Sequence, residues 1–513
     1  PLELANYRPI SLLNSDYKIL SYTLALRIKK ILNLIINADQ TGYIKNRFIG
    51  FNLRQIQDVI DYADKFNIEG AILFIDFSKA FDTLEWNFMY HTLEYFGFNK
   101  PFINWIKTLY TNIDSSIFNN GWISAPFRPL RGIRQGCPCS SILFVMSVEI
   151  MANQLRQNKN IRGIELKIDS KTHCLKITQV ADDTTLFLKS KEEIRTALNI
   201  IEIFGTFSGL QLNKNKTEGI WIGKLKHCRD KVDEINFTDK PVKVLGIYFG
   251  INKKDCEKLN WDTRFEKSRN LITSWKKRNL TILGKILIVK TLIIPQFTFL
   301  ANVTVLSNSK IVDIEREIFS FIWNSKKDKV KRNTLVADYN QGGLKMTDIK
   351  SYFSSLKIRW VSRLLQAKQE NWTLIPKLFL NKLGENFLIF RMNLNNQTLK
   401  KLDYITKDIP EFYLEIIKSW ILFHETNITE LKNFVEIRKQ VIWGNKFIKF
   451  QNKPLIMHNW IHSDFIYIND IIDDNGKIAQ DKIFRKLRNT KNWIAEISKV
   501  KNSIPTSWLK ILA

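Results

Sequence analysis

The feature of this sequence that most restricts its possible folds is a short apolar run that ends abruptly at a carboxylate. Residues 71–75 read Ala-Ile-Leu-Phe-Ile, and Asp76 follows directly. A continuous apolar run of this length is typical of a strand that is buried on both faces. A carboxylate at the end of such a strand is costly unless it is solvated, paired or bound to a metal ion. The sequence therefore predicts a buried strand with an acid at its end.

A second pair of acids lies in residues 175–188, which read LKITQVADDTTLFL. Apolar and polar residues alternate on both sides of Asp182 and Asp183, and this pattern predicts a hairpin with the acids at its turn. Taken alone, such a pair is more often a solvated turn than a site. If the hairpin lies beside the strand that ends at Asp76, the carboxylates form a hard-oxygen site that suits Mg²⁺ better than Zn²⁺.

The remaining pattern to residue 250 mixes helices and strands irregularly, and from about residue 255 it is helical and basic, so the predicted class is α+β. Helices are predicted over residues 10–36, 53–66, 84–97 and 140–157, and strands near 218–223 and 242–249. Ser190 and Glu193 have the spacing of a capping box for a further helix that ends at Gly209.

The charge and cysteine content narrow the class of partner and the compartment. The chain has 513 residues, with 78 Lys and Arg against 50 Asp and Glu, a formal net charge of +28 that indicates a polyanionic partner. Five cysteines exclude a disulfide scaffold and suit a reducing compartment. We find no signal peptide and expect an intracellular protein, in the nucleus and cytoplasm.

Residues 280–305 are apolar but contain Lys285, Lys290 and Pro295, which favours a buried helix and a bend over a membrane span.

Seven blocks of sequence occur in an order that identifies a family. They are NYRPISLLNSDYKILSYTLALRI, DQTGYIKNRF, FIDFSKAFDTLEW, RGIRQGCPCSSILF, VADDTTLF, GLQLNKNKTE and KVLGIYFG. Together they resemble the reverse transcriptase of LINE-type (non-LTR) retrotransposons, and two later segments, within residues 280–303 and 321–349, resemble the thumb and the region that follows it. The resemblance implies a right-hand polymerase, with fingers and palm in residues 1–250, thumb in 251–325 and an α-rich basic C-terminal extension in 326–513.

The resemblance also implies roles for particular residues. Asp76, Asp182 and Asp183 match the catalytic, metal-binding acids, which hold two Mg²⁺ ions with Mn²⁺ as a possible substitute. The nucleotide-binding positions of the family match Phe77 through its carbonyl, Phe81 as the ring that excludes a ribose 2′-hydroxyl, Arg134, Gln135, Gly136, Arg47 and Lys216. Leu245 and Gly246 match the primer grip.

The implied reaction is RNA-directed DNA synthesis, in which dNMP is added to a primer 3′-hydroxyl on an RNA template. RNA template, DNA primer or target and dNTPs are the implied partners; no membrane is implied, and the oligomeric state stays open. In the parent element the enzyme would extend nicked target DNA on the element's own RNA. Two alternative functions remain. One is a truncated or inactive remnant that only binds nucleic acid, which Val180 in place of an aromatic residue favours, and the other is an intron maturase. An alternative metal site is a zinc site made from the scattered His and Cys residues. The family's N-terminal fingers strand, endonuclease domain and terminal zinc knuckle are not found in the sequence.

Overall fold

The computed structural model describes residues 9–168, 171–366, 370–383, 387–390, 392, 406–426, 433–473, 475–487 and 492–512. Residues 6–8, with which the first of the seven blocks begins, lie outside this part of the chain. The chain divides into two compact units. The first consists of Pro1–Trp261 and Glu370–Ile375, and the second of Asp262–Gln369 and Pro376–Ala513.

The first unit mixes helices and strands, as the sequence predicts. Its helices are α1 (Ser15–Lys29), α2 (Leu32–Ile35), α3 (Gly50–Phe66), α4 (Ala80–Thr83), α5 (Trp86–Tyr95), α6 (Lys100–Thr108), α7 (Ser140–Gln157) and α8 (Lys191–Ser208), and α9 (Lys253–Lys276) begins in this unit. Its strands are β1 (Gly70–Ile75), β2 (Phe118–Asn119), β3 (Trp122–Ile123), β4 (Ile164–Ile168), β5 (Lys171–Leu175), β6 (Ile177–Val180), β7 (Asp183–Leu188), β8 (Glu218–Ile222), β9 (Asn236–Phe237), β10 (Val242–Val244) and β11 (Ile247–Phe249).

A five-stranded sheet with the order β6-β7-β1-β8-β9 forms the centre of this unit. The predicted strand of residues 71–75 is its middle strand, and every residue of β1 is buried. Strands β7 and β8 flank β1 on either side, both antiparallel to it. The sequence predicts a buried strand here, because a continuous apolar run is typical of a strand covered on both faces.

Helix α7 provides most of the core on one face of this sheet. Twelve of its eighteen residues are buried, among them Phe144, Val145 and Met146. A helix that is apolar on most of its circumference must be surrounded by protein, and α7 contacts α5, α8 and β6. Its bounds agree with the predicted helix of residues 140–157.

The predicted capping box of α8 forms only in part. The Ser190 hydroxyl accepts a hydrogen bond from the Glu193 amide, which is the expected N-cap contact. The Glu193 carboxylate does not return to the Ser190 amide. It accepts instead from the amides of Lys189, Arg162 and Gly163, at 2.9–3.1 Å. The prediction was wrong on that half of the motif, because the loop before β4 supplies amide donors that local spacing does not reveal.

Two other boundaries differ from the sequence prediction. Residues 10–36 form two helices, since the first begins at Ser15 and a break at Lys30 and Ile31 separates it from α2. Residues 242–249 form a hairpin of two strands, β10 and β11, in place of one strand. Leu245 and Gly246 both have positive φ, 50° and 83°, the combination that a two-residue type I′ turn requires.

Helices dominate the second unit. After the end of α9 come α10 (Ile282–Ile288), a π-helical turn (Val289–Ile293), α11 (Ile294–Val303), α12 (Asn308–Ile322), α13 (Arg332–Val336) and α14 (Ile349–Gln366). Beyond them lie helices at Leu374–Leu380, which begins in the first unit, and at Glu411–Thr426, Phe434–Arg438, His458–His462, Ile468–Ile471, Gln480–Leu487, Trp493–Ser503 and Thr506–Leu512, with a short strand pair at Lys449–Phe450 and Lys453–Pro454. In the two units together, single turns of 3-10 helix occur at Gly223–Leu225, Tyr339–Gln341, Asn371–Thr373, Asn381–Leu383 and Leu388–Phe390.

One helical stretch in the described part of the chain, Ile282–Val303, is long and apolar enough to cross a membrane by length and composition alone. In the structure Val289, Ile293 and Phe297 of this stretch are buried by protein. The π-helical turn precedes Pro295, which lies in the first turn of α11, where its missing N–H group costs little. The expectation that no membrane is involved stays a prediction.

Candidate active site

The sheet register brings the three acids of the two sequence motifs to neighbouring strand ends. In the antiparallel pair of β1 and β7, Ile75 lies opposite Thr184. The same register continued by one residue sets Asp76 opposite Asp183, and Asp182 precedes it in the hairpin turn. Residues that oppose each other across a sheet have Cβ atoms about 4.5–5.5 Å apart. Asp76 and Asp182 are half-buried and Asp183 is exposed, so the group faces solvent.

The backbone that carries Asp76 is fixed from the side of β8. Phe77 pairs with Leu212, and the Asn213 amide donates to the Asp76 carbonyl at 2.8 Å. The Thr217 hydroxyl accepts from the Asp76 amide at 3.2 Å. In a pair of this kind the N–H and C=O groups of Phe77 point away from Leu212, toward the side of β1 that β7 occupies. The Phe77 carbonyl therefore points to the side on which the acidic hairpin lies.

The ring of Phe81 is held against the core helix of the sheet. Phe81 lies in α4, and its ring stacks on Phe144 of α7 with centroids 4.5 Å apart and planes 12° from parallel. The Phe81 carbonyl accepts a hydrogen bond from the Ile133 amide at 2.7 Å. Backbone and ring are therefore both restrained, and the half-buried ring keeps part of its surface accessible, five residues after Asp76.

The loop of Arg134, Gln135 and Gly136 is supported by the segment that leads into α1. The Gln135 carbonyl accepts from the Ser11 amide at 2.8 Å. The Arg134 guanidinium lies over the Tyr17 ring, 4.7 Å from its centroid. Burial, followed by the neighbouring Cys137, raises the pKa of Tyr17 well above its usual range, so this ring stays neutral under Arg134.

Gly136 occupies a position that other residues cannot take without a shift of the backbone. Its φ is 115°, and a Cβ atom added there would lie 2.9 Å from the Ser11 carbonyl oxygen. The sequence prediction that this glycine allows close backbone approach is consistent with that distance. The close neighbour in the structure is the chain's own segment before α1.

Comparison with known proteins gives the family. Residues 3–249 match the family described as reverse transcriptase (RNA-dependent DNA polymerase). Residues 3–249 therefore form a reverse transcriptase domain. This match covers most of the first unit and includes every residue that the sequence assigns to the site.

Three curated proteins are similar to this chain in sequence. An uncharacterised 149 kDa protein of transposon TX1 from Xenopus laevis is 26% identical over 423 residues, which are 81% of this chain and 32% of the relative. The Pol polyprotein of retrotransposable element R2DM from Drosophila melanogaster is 30% identical over 215 residues, 41% of this chain and 19% of the relative. The corresponding R2 protein of Nasonia vitripennis is 26% identical over 218 residues, 41% of this chain and 20% of the relative. The chain thus spans about a third or less of their length.

Solved structures of telomerase in complex with a fragment of telomeric RNA also match. The protein from Candida albicans has a TM-score of 0.37 at 11% identity, covering 76% of this chain and 56% of that one. The protein from Candida tropicalis has a TM-score of 0.35 at 12% identity, covering 71% and 58%.

Reverse transcriptases generally use divalent metal ions. In the part of the chain that the structure describes, no three His, Cys, Asp or Glu side chains converge closely enough to hold a metal ion by themselves. Zinc, which requires three or four protein ligands, does not fit such a set. Mg²⁺ does fit, because it binds through one or two carboxylates and takes its other oxygens from water and substrate phosphates. Asp76, Asp182 and the Phe77 carbonyl supply oxygens of this kind.

Arg47 of the reverse transcriptase domain binds the protein's own backbone. Its guanidinium donates to the carbonyl oxygens of Ile36 at 2.8 Å and Gln40 at 2.7 Å, and also to that of Asn37. Burial lowers its pKa from the usual arginine value. In this structure Arg47 therefore closes the loop between α2 and α3. Contact of Arg47 with a nucleotide stays a prediction.

Lys216 and the Leu245–Gly246 turn occupy exposed or half-buried positions of the first unit. Lys216 is exposed in the loop before β8, where its amide donates to the Asn213 carbonyl at 3.1 Å. The β10–β11 hairpin is fixed by Asn260 of α9, whose side chain makes hydrogen bonds of 2.8 and 3.0 Å to the backbone of Tyr248. The roles of Lys216 and of the turn stay predictions.

A buried charge cluster near the acidic hairpin was not predicted from the sequence. Arg156 of α7 pairs with Asp39 at 2.8 Å and, at shorter range, with Glu149. Burial raises the pKa of Asp39, against the opposing charge of Arg156. Burial also raises the pKa of Glu149, to about 7. Arg156 lies 117 positions from Asp39 and 7 positions from Glu149 in the chain, so no local spacing reveals the whole cluster.

Proposed function

We propose that this chain is an RNA-directed DNA polymerase that adds dNMP to the 3′-hydroxyl of a DNA primer on an RNA template. The observation that carries the proposal is the β1–β7 register, which sets Asp76 beside Asp182 and Asp183 at solvent-facing strand ends. Three acids that meet at the end of a buried strand form a cluster of oxygen ligands that suits a bound divalent cation. The family assignment supports the same chemistry.

In this proposal Asp76, Asp182 and the Phe77 carbonyl hold two Mg²⁺ ions, for which Mn²⁺ can substitute, and Asp183 is an exposed further acid. Bound divalent ions stabilise the charge that develops on the attacking oxygen and on the leaving pyrophosphate. The protein's part is to hold the carboxylates correctly oriented before substrate arrives. The hydrogen bonds to both backbone groups of Asp76 provide that orientation.

The incoming dNTP is proposed to lie between Phe81 and the Arg134–Gly136 loop. Phe81 is restrained by Phe144, so a ring beneath the sugar cannot move away from a ribose 2′-hydroxyl. Gln135 offers an amide donor and acceptor, and Arg134 and Lys216 offer positive charge for the triphosphate. Leu245 and Gly246, at the tip of a rigid hairpin, are proposed to position the primer strand.

A dense basic surface in the second unit supports nucleic acid as the partner. Seven exposed cations lie near the ends of α9 and α12, and the Lys276 ammonium donates to the Ser325 hydroxyl at 3.2 Å, which brings the two ends together. The seven are Lys276, Lys277, Arg278, Lys326, Lys327, Lys329 and Lys331. Such a surface binds phosphates without reading sequence. The proposed partners are the RNA template and the DNA primer or nicked target.

The compartment is also proposed. The five cysteines, Cys137, Cys139, Cys174, Cys228 and Cys256, are all free thiols. Free thiols support an intracellular protein, and we place it in the nucleus and cytoplasm, where a nucleic acid template and target occur.

Primer extension with Asp182→Ala tests the proposal. The parent chain is expected to extend a DNA primer on an RNA template with dNTPs and Mg²⁺, and Asp182→Ala to extend it at least about a thousandfold more slowly. Asp239→Ala, which removes an exposed acid of the same unit, is the matched control and should retain extension. Extension by Asp182→Ala at the parent rate would reject the site. No extension by the parent, with RNA binding by both proteins, would favour the alternative of a remnant that only binds nucleic acid.

A further inference from the structure

The turn of the acidic hairpin has a strained backbone at the residue before the first acid. Ala181 and Asp182 form a two-residue turn between β6 and β7, since Val180 pairs with Asp183. Of the two turn residues only Ala181 has positive φ, at 57°. That pattern is typical of a type II′ turn, in which glycine is strongly preferred at the first position. An alanine there persists only where its surroundings hold the conformation.

The buried side chain of Gln40 supplies that support. Its Oε1 atom accepts hydrogen bonds from the amides of Ala181 and Gly42, each at 2.8 Å. Its Nε2 atom donates to the Ala181 carbonyl at 3.3 Å. One amide side chain therefore binds both backbone groups of the residue that precedes Asp182. Gln40 is only 1% exposed, so water does not compete for these bonds.

Gln40 is itself fixed to the hairpin through its backbone neighbours. The Thr41 amide donates to the Gln179 carbonyl, and the Gln179 amide donates to the Asp39 carbonyl, both at 2.9 Å. The Asn52 side chain of α3 donates to the Gln179 carbonyl at 2.8 Å. The segment before α3 thus lies as a short parallel bridge against β6, and it presents Gln40 to the turn.

We propose that Gln40 is a positioning residue of the polymerase site, which holds the Ala181 turn in its strained form and so holds Asp182 where it can bind a divalent cation. The inference rests on the proposed function, because it assigns Asp182 to metal binding. Without the Gln40 amide, the Ala181 backbone relaxes toward negative φ, and the Asp182 carboxylate leaves the side of Asp76.

Gln40→Met tests this assignment, because methionine has similar volume and none of the three hydrogen bonds. In protein kept free of metal with chelator, hydrogen–deuterium exchange of the Ala181 amide is expected to become about tenfold faster, as loss of one buried hydrogen bond predicts. The affinity for Mn²⁺, measured as free Mn²⁺ by electron paramagnetic resonance, is expected to fall about 10–100-fold. Primer extension should then require a correspondingly higher Mg²⁺ concentration for half-maximal rate.

Gln55→Met is the matched control. Gln55 is a buried glutamine of α3, 3% exposed, and its substitution removes a buried amide without touching Ala181. Loss of folding alone lowers the amount of active enzyme at every Mg²⁺ concentration, whereas loss of positioning changes the concentration at half-maximal rate. The control should leave that concentration and the exchange of the Ala181 amide unchanged.

Gln40→Glu keeps the test decisive if Gln40→Met does not fold. A carboxylate retains acceptor oxygens for the Ala181 and Gly42 amides, so the Ala181 amide should stay protected and the Mn²⁺ affinity should stay within a few-fold of the parent. Parent-like exchange and Mn²⁺ affinity in folded Gln40→Met, or a full loss of both in folded Gln40→Glu, would overturn the inference. Unimpaired extension by Asp182→Ala would instead reject the proposed function itself.

Discussion

At the scale of single residues, the Phe81 ring is expected to decide which sugar the enzyme accepts. Phe81→Ala removes the ring that Phe144 holds in place, and a ribose 2′-hydroxyl then has room. We expect the ratio of kcat/KM for dNTP to kcat/KM for rNTP to fall at least about tenfold, since the excluded group is the size of one heavy atom. Single-nucleotide incorporation with each substrate measures this ratio.

Because the ratio compares two substrates on one enzyme, it does not depend on how much of the variant is folded. Phe144→Leu loosens the same stack from the other side and leaves the Phe81 ring present, so its ratio should change less. A ratio for Phe81→Ala equal to that of the parent would mean that the ring is an ordinary core aromatic.

The buried carboxyl of Glu149 makes a separate prediction about pH. Burial raises its pKa to about 7, with Arg156 opposing the shift and Asp39 adding to it. The folded protein therefore binds this proton more tightly than the unfolded chain, and the free energy of unfolding falls as pH rises from about 4 to 7. Glu149→Gln does not titrate, so it should gain roughly 1–3 kcal/mol of stability relative to the parent between pH 5 and pH 8.

Denaturant unfolding of the parent and of Glu149→Gln at the two pH values measures that gain. The comparison uses the change with pH, because the substitution also alters the contact between residue 149 and Arg156 at both values. Glu234→Gln, at an exposed position, serves as the control. A stability difference between parent and Glu149→Gln that is the same at pH 5 and pH 8 would contradict the assigned shift.

At the scale of elements, a short segment from late in the chain completes the first unit. Residues Glu370–Ile375 belong to that unit, and the Trp372 ring stacks on Phe51 of α3 with centroids 4.2 Å apart and planes 4° from parallel. Trp372 also lines a small cavity with Asn52 and Thr41, next to the bridge that carries Gln40. The reverse transcriptase domain is therefore incomplete without residues more than 100 positions beyond its matched range.

Trp372→Ala is expected to destabilise the first unit by about 3–5 kcal/mol, the usual cost of removing a buried tryptophan side chain. Hydrogen–deuterium exchange should rise in peptides from α3, and the rise should be largest near Phe51. Trp105→Ala, at a site that is 51% exposed in α6, is the control and should change little. Unchanged exchange in α3 would show that the segment adds nothing to the stability of the unit.

Elements differ in how much of them local sequence predicts. The bounds of α7 and the place of β1 follow from patterns confined to each segment, because burial on most sides leaves an apolar signature. Residues 242–249 were predicted as one strand and form a hairpin. The turn could not be recognised because it has Leu245 where asparagine or glycine is usual. The second partner of Glu193 was missed because its donors come from the loop before β4, about 30 residues away.

At the scale of the whole molecule, the net charge of +28 predicts strong and salt-sensitive binding to nucleic acid. Replacing Lys326, Lys327, Lys329 and Lys331 by glutamine removes four exposed charges from the basic surface. If these residues contact phosphates, the slope of log affinity against log salt should decrease in magnitude by about 3, because each lost contact contributes roughly 0.7–0.9 to the slope. Binding of an RNA–DNA duplex between 50 and 300 mM salt, roughly the range in which such slopes are measured, gives the slope.

A chain with four other exposed lysines replaced by glutamine has the same net charge and is the control. Lys449, Lys453, Lys477 and Lys482 are suitable, as all four are exposed in the C-terminal part of the second unit. The same decrease in slope for both quadruple variants would mean that net charge, and not this surface, determines the affinity.

The family, the α+β class, the three acids and the basic character could all be predicted from the sequence, because each depends on residues that are adjacent in the chain or on blocks of fixed order. Whether Asp76 meets Asp182 and Asp183 was decided by the β1–β7 register, which pairs residues more than 100 positions apart. Tertiary structure alone revealed the contacts of Gln40 with Ala181, of Tyr17 with Arg134 and of Trp372 with Phe51. These contacts could not be predicted because a buried polar or aromatic side chain acquires its partner only when distant segments pack together.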